Sequence, residues 1–169
     1  MVRVLFVCMG NICRSPMAEG AFRRLAAEAG LLDRANGIAT DSAGTSRYHV
    51  GEPPDPRAMR AARARGIDIS GQRARQVQAG DFGNFDYLIA MDRDNLAHLE
   101  RLAPEAHGAR LALFLSYAPE VGLDEVPDPY FGGAGGFEGC LDLIEAAARG
   151  LFDHVLHRHF PDHAAIARR

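Results

Sequence analysis

Four short apolar runs punctuate the chain: VRVLFV at 2–7, GIATDSAG at 37–44, FDYLIAM at 85–91 and RLALFL at 110–115. Runs of this length predict strands of a parallel sheet buried on both faces. Helical periodicity fills the gaps. From Ser15 to Ala29, the residues Met17, Ala18, Ala21, Phe22, Leu25 and Ala29 recur at the 3.6 period, with Ser15 as the expected N-cap and Pro16 at the first helical position. Further helices are predicted over about 56–65 and 93–102. The last helix carries the clearest stripe: Phe137, Cys140, Leu141, Ile144, Ala148, Leu151, Phe152 and Val155. FGGAGG at 131–136 reads as a flexible loop before it. Strands alternating with helices predict an α/β, doubly wound, four-stranded parallel sheet with helices on both faces, in one domain over 1–169. Ligands of such sheets sit beyond the carboxyl ends of the strands, where residues 8–14 lie.

Composition narrows the class. With 169 residues, 47% hydrophobic and 24% charged, the chain has an ordinary globular profile. Its net charge of −3 argues against nucleic acid as a partner. Every basic residue among the 19 is arginine, so arginine counts carry little weight by themselves. No apolar run approaches the ~18 residues that span a bilayer, which argues against a membrane protein, and the start enters a strand pattern directly, so a cytoplasmic location is expected. Three cysteines do not make a secreted disulfide framework; reactive thiol chemistry is the better expectation.

The chemistry concentrates in Cys8-Met9-Gly10-Asn11-Ile12-Cys13-Arg14-Ser15. Arg14 falls in the first turn of the predicted helix, where a cation opposes the helix dipole. An anion would reconcile it. Between a strand and a helix, successive backbone N–H groups can curl around an anion, and Gly10 and Asn11 tolerate the left-handed dihedrals such a loop needs. Arg14 could clamp phosphate through two parallel hydrogen bonds. Cys8 at the base of the loop would share these donors, which favour the nucleophilic thiolate. Ser15 could donate to that sulfur while capping the helix. The plain alternative is a buried strand-end cysteine beside a surface arginine. A Gly-Lys-Ser/Thr phosphate loop is excluded by its missing ending, and one cysteine pair lacks the remaining ligands of a zinc site. No metal or cofactor is expected.

VCMGNICRSPMAE resembles the phosphate-binding loop of the low-molecular-weight protein tyrosine phosphatases, and VPDPYFGG at 126–133 resembles that family's acid loop. DSAGTSRYHVGEPPDPRA at 41–58, ISGQRARQV at 69–77 and AMDRDNL at 90–96 follow in the family's order. The resemblance implies Cys8 as nucleophile, Arg14 as phosphate clamp and Asp128 as general acid and later base. It also implies Asn11, Ser15 and Ser42 as supports of the loop. One departure is Gln72, where the family often has histidine. The implied substrate is a tyrosine-phosphorylated protein, with inorganic phosphate or other oxyanions as inhibitors. Asp128 is stiffened between Pro127 and Pro129, although a lone PDP reads as a turn.

Tyr48, Tyr130 and Ile12 are the expected pocket walls, suited to a deep-reaching aryl phosphate. Cys13, five residues from Cys8, is the expected redox partner, able to trap an oxidised nucleophile as a reversible disulfide. Cys140 lies on the apolar stripe and reads as core, and the four histidines of HVLHRHFPDH read as a solvated helix end rather than a metal site. Thioredoxin-coupled arsenate reductases of the same fold use two further cysteines, absent from 72–110. Phosphoarginine phosphatases of the family typically carry threonine at the position of Ile12. A silent phosphoprotein-binding module would lose Cys8 or Asp128, and both are present.

Overall fold

The computed structural model describes residues 1–132 and 134–166. Strand β1 (Val2–Cys8) is followed by α1 (Arg14–Glu28), β2 (Ile38–Gly44), α2 (Pro56–Ala64), a short α3 (Asp81–Asn84), β3 (Tyr87–Ala90), α4 (Arg93–Leu102) and β4 (Arg110–Leu113). Two 3-10 turns (Phe114–Tyr117 and Pro119–Val121) then lead to the long α5 (Ala134–His159) and to α6 (Pro161–Ile166). The four strands form an all-parallel sheet in the order β2-β1-β3-β4. The strand and helix types predicted from periodicity are those observed.

The strand period of two divides the core. Val4, Phe6 and Ile89 face the cluster built with α1 and α5, while Leu5, Val7, Leu88 and Ala90 face the cluster that includes Phe82 and Leu99 of α3 and α4. Phe6 packs between Phe22 and Phe114 at centroid separations of 5.5 and 5.4 Å. Strands buried on both sides show no alternation of polarity, which is why the runs read as continuous apolar stretches. No helix of the described residues is long and apolar enough to cross a membrane.

The structure corrects two local expectations. Helix α1 begins at Arg14, not after Ser15: Cys13 occupies the cap position with no side-chain cap bond, because the Ser15 hydroxyl is turned inward to the loop. The glycine-rich stretch 131–136 is not all loop, since α5 starts at Ala134; Gly133 lies outside the described residues. Packing of Phe137 and Cys140 into the core outweighs the ~1 kcal/mol that each helical glycine costs relative to alanine.

Candidate active site

The carboxyl end of β1 opens into the loop from Cys8 to Ser15, and the first turn of α1 closes it. Gly44, at the end of neighbouring β2, makes this possible: a Cβ there would lie 2.7 Å from the Met9 carbonyl. Thr45 N–H and Ser46 N–H instead reach the carbonyls of Cys8 and Met9, both at 2.9 Å.

Asn11 has φ +55° and is buried. Its side chain is fully used, which secures that left-handed geometry. The Nδ2 group donates to Ser15 Oγ (2.8 Å) and Ser42 Oγ (2.9 Å), and Oδ1 accepts from Arg75 N–H at 2.9 Å. Ser42 in turn donates to Gln72 Oε1 at 3.3 Å, and Gln72 Nε2 donates to the Pro16 carbonyl at 3.1 Å. Gln72 therefore both accepts and donates in the place where the sequence departed from the family pattern. Ser15 Oγ lies 3.1 Å from Cys8 Sγ and 3.5 Å from the Ala43 carbonyl, so with Cys8 as thiolate the serine proton belongs to the sulfur. Asn11 N–H also donates to that sulfur at 3.3 Å. Among the described residues, the N–H groups of Met9, Gly10, Ile12 and Cys13 donate to no protein group, which leaves them for an anion.

Arg14 is 2% exposed. Its Nη1 donates to Asp92 Oδ2 at 2.7 Å and to the Val126 carbonyl at 3.0 Å, while Nη2 lies 3.5 Å from Asp128 Oδ2. Burial works against its charge, but Cys8, Asp92 and Asp128 outweigh it and raise the guanidinium above the ordinary arginine value. With Nη1 occupied, Nε and Nη2 are the edge left for a ligand.

Cys8, Arg14, Ile12 and Cys13 line a cavity of about 400 Å³, together with Met9 and Gly10 of the loop. Tyr48, His49, Asp128, Tyr130 and Phe131 complete the lining, with the His49 and Tyr130 rings 6.4 Å apart between centroids. Asn11, Ser15 and Ser42 stand behind the cavity rather than in it. Tyr48 is 82% exposed, against 37% for Tyr130, so it borders the mouth. Burial pushes the Cys13 thiol well up, reinforced by Asp55. Cys140 is buried in the core, as its place on the stripe implied, and its thiol is pushed up to about 12.

Several site residues were missed from sequence. Asp92 caps α4 through Oδ1 and holds Arg14 through Oδ2; the Asp before Arg93-Asp94-Asn95 signals the cap but not the second oxygen. Arg75 positions Asn11 with its backbone while its guanidinium is fixed by Asp81 and Asp41. His49, bound through Nδ1 to Glu52 at 2.7 Å, and Phe131 had no sequence signal beyond lying in the compared stretches. Among the described residues, no group of three His, Cys, Asp or Glu side chains could hold a metal.

The fold, and the similarity to known proteins over nearly its whole length, place the chain among the phosphoric monoester hydrolases. The chain belongs to the low molecular weight phosphotyrosine protein phosphatase family, whose profile matches residues 3–160. It is 48% identical over 158 residues to a low molecular weight protein-tyrosine-phosphatase of Streptomyces coelicolor, covering 90% of this chain and 93% of that one. The crystal structure of YfkJ from Bacillus subtilis superposes with a TM-score of 0.85 at 41% identity, over 94% of this chain and 96% of YfkJ. DARP, a Drosophila arginine phosphatase, superposes with a TM-score of 0.83 at 34% identity, over 89% and 96%.

Proposed function

We propose that the chain hydrolyses phosphotyrosine in proteins, and other aryl phosphate monoesters, through a phosphocysteine on Cys8. The Cys8 sulfur attacks phosphorus in line as the phosphorus–oxygen bond to the aryl group breaks. Asp128 gives its proton to the departing oxygen, whose phenol has a reference pKa of about 10 and leaves poorly as the bare anion. Loop N–H groups and Arg14 hold the charge on the equatorial oxygens. Asp128 then takes a proton from water, which attacks phosphorus, breaks the sulfur–phosphorus bond and releases inorganic phosphate. The observation that carries this reading is the shared cavity: Cys8 and Arg14 line it with Asp128, whose carboxylate lies 3.5 Å from the guanidinium.

Phosphoarginine is the rival substrate, given the arginine phosphatase among the structural relatives. Ile12 in the cavity offers no hydroxyl to a guanidinium, and Tyr48 and Tyr130 offer aromatic faces, both of which favour an aryl group. Cys13 is assigned as guard of the nucleophile. Peroxide converts the Cys8 thiolate to a sulfenic acid, which removes the Cys8 charge that helps to keep the Cys13 thiol up; Cys13 then attacks that sulfur, water leaves, and a disulfide reducible by thiols remains. A thiol nucleophile suits the cytoplasm, where glutathione and thioredoxin keep thiols reduced.

The deciding experiment is p-nitrophenyl phosphate hydrolysis without added metal, which Cys8→Ser abolishes while still binding phosphate. Turnover surviving Cys8→Ser, or requiring a divalent metal, overturns the mechanism. Specificity constants for matched phosphotyrosyl and phosphoarginyl peptides decide the substrate. Equal recovery of peroxide-treated wild type and Cys13→Ala with reductant overturns the guard assignment.

A further inference from the structure

The loop carrying Asp128 is anchored on one side by a device outside the catalytic residues. We propose that Arg57, clamped by Asp55, is a positioning residue for the general acid, tying the start of α2 to the acid loop and fixing Asp128 relative to the leaving group. This rests on Asp128 acting as the acid.

Asp55 caps α2, and its carboxylate does more than cap. Oδ1 accepts from the Arg57 N–H at 2.8 Å and from Arg57 Nε at 3.0 Å, and Oδ2 accepts from Nη2 at 2.9 Å. The fork is thereby held on two hydrogen bonds, with a third from the Arg57 backbone, and the Arg57 side-chain hydrogen bond holds the Asp55 carboxyl below its ordinary range. Nη1 reaches across and donates to the Tyr130 carbonyl at 3.0 Å. The guanidinium carbon also stands 5.3 Å from the Tyr130 ring centroid and 4.8 Å from that of Phe137, which is buried at the start of α5. The next link is Tyr130 N–H donating to Asp128 Oδ1 at 3.0 Å. At the other end, Asp55 N–H donates to the Ile12 carbonyl at 2.8 Å, inside the phosphate loop. One short segment therefore touches both the loop that holds the nucleophile and the loop that holds the acid. It is built to set the distance between them. A half-buried arginine needed only to neutralise Asp55 would not require the carbonyl bond across to Tyr130.

The test separates positioning from general damage by leaving group. kcat/KM reports formation of the phosphocysteine, in which an aligned acid matters for phenyl phosphate far more than for p-nitrophenyl phosphate, whose leaving group is less basic. With the full chain, Arg57→Ala is expected to lower kcat/KM for phenyl phosphate about tenfold more than for p-nitrophenyl phosphate. Arg57→Lys, which keeps charge but loses the fork, should show the same bias at smaller size; it carries the comparison if the alanine variant folds poorly. Asp128→Asn should show the bias most strongly, and adding Arg57→Ala to it should cost little more, because the tether acts through the acid. Equal losses on both substrates, or full additivity with Asp128→Asn, overturn the tether. If Asp128→Asn itself treats the two leaving groups alike, the acid assignment falls first and the tether with it.

Discussion

The phosphate loop and the acid loop face each other across one cavity and are held in opposite ways. Asn11, Cys13 and Arg14 are each at most 5% exposed, and Asn11 is bonded through both ends of its side chain. The acid loop is buried at Val126, but Phe131 is 91% exposed. Its anchors are the Arg14 and Arg57 bonds to carbonyls, the Val126 N–H bond to the Met91 carbonyl, and a 3.5 Å ion pair. The contrast follows from the work assigned to each. In the proposed mechanism one loop fits the phosphoryl group in both displacements, so its donors have to be in place beforehand. The other must approach a leaving group, then admit water and release product, so it is fixed at its ends and open between them.

The largest effect should come from the satisfied loop. Arg14→Ala removes the clamp and strips Asp92 of its buried partner, so kcat/KM is expected to fall on the order of a thousandfold or more, with phosphate binding lost in calorimetry. Arg14→Lys should not restore it, since an ammonium cannot hold Asp92 and two phosphate oxygens in one plane. Asp128→Asn is the matching change in the open loop. It should cost on the order of a hundredfold on phenyl phosphate while phosphate affinity stays nearly unchanged. Loss of phosphate binding in Asp128→Asn, or its retention in Arg14→Ala, would break the division of labour.

The same contrast decides what could be read beforehand. The phosphate loop is local in sequence: strand, Gly10, Asn11, Arg14 and helix stand in one register, and the cation in the first turn of α1 asks for negative charge, which Asp92 and Asp128 supply in part. The acid loop was legible through PDP and its resemblance, not through local physics, because a proline-bounded aspartate is an ordinary turn. What held either loop from a distance was not legible. Asp92, Arg75 and Arg57 reach their partners across separations of 78, 64 and 73 residues. Periodicity says nothing about such pairings. The short α3, the 3-10 turns and α6 escaped for another reason, being too brief to display a period. Ser15 misled because its residue type suits a cap, whereas a tertiary acceptor claimed its hydroxyl.

A third, smaller change asks how far the support of the phosphate loop extends. Gln72 is two hydrogen bonds removed from Asn11, accepting from Ser42 and donating to the Pro16 carbonyl. Gln72→Ala leaves Ser42 without that acceptor, so denaturant unfolding should show a loss of about 1 kcal/mol. kcat/KM should fall only a few-fold, since Asn11 keeps its bonds to Ser15 and to Arg75 N–H. A loss as large as that of Asp128→Asn would mean that the loop is strung on this one residue rather than secured at several points.

The smallest expected effect lies at the opposite end of the sheet, where polar groups are left short rather than saturated. Among the described residues His154 Nε2 is buried and meets no hydrogen-bond partner, and its ring lies 5.4 Å from that of the half-buried Tyr117 between centroids. Burial, then Arg110 and Arg158, lower the His154 pKa below its reference of 6.5, and burial with Arg158 does the same for His159, whose Nε2 lies 2.8 Å from the Tyr87 hydroxyl. A depressed histidine binds its proton less readily folded than unfolded. Its contribution is therefore whole above the unfolded value and is lost as pH falls below about 6.5 toward the folded one. Melting temperatures should drop between pH 7.5 and pH 5, and His154→Phe, which keeps a ring against Tyr117 and Tyr87 but cannot titrate, should flatten that drop. Activity at neutral pH should not change, because no part of the cavity touches this end. An equally steep drop in His154→Phe would place the acid sensitivity elsewhere in the molecule. A loss of turnover in the same variant would show that the two ends of the sheet are coupled, and that saturation of the phosphate loop does not insulate it from the rest of the fold.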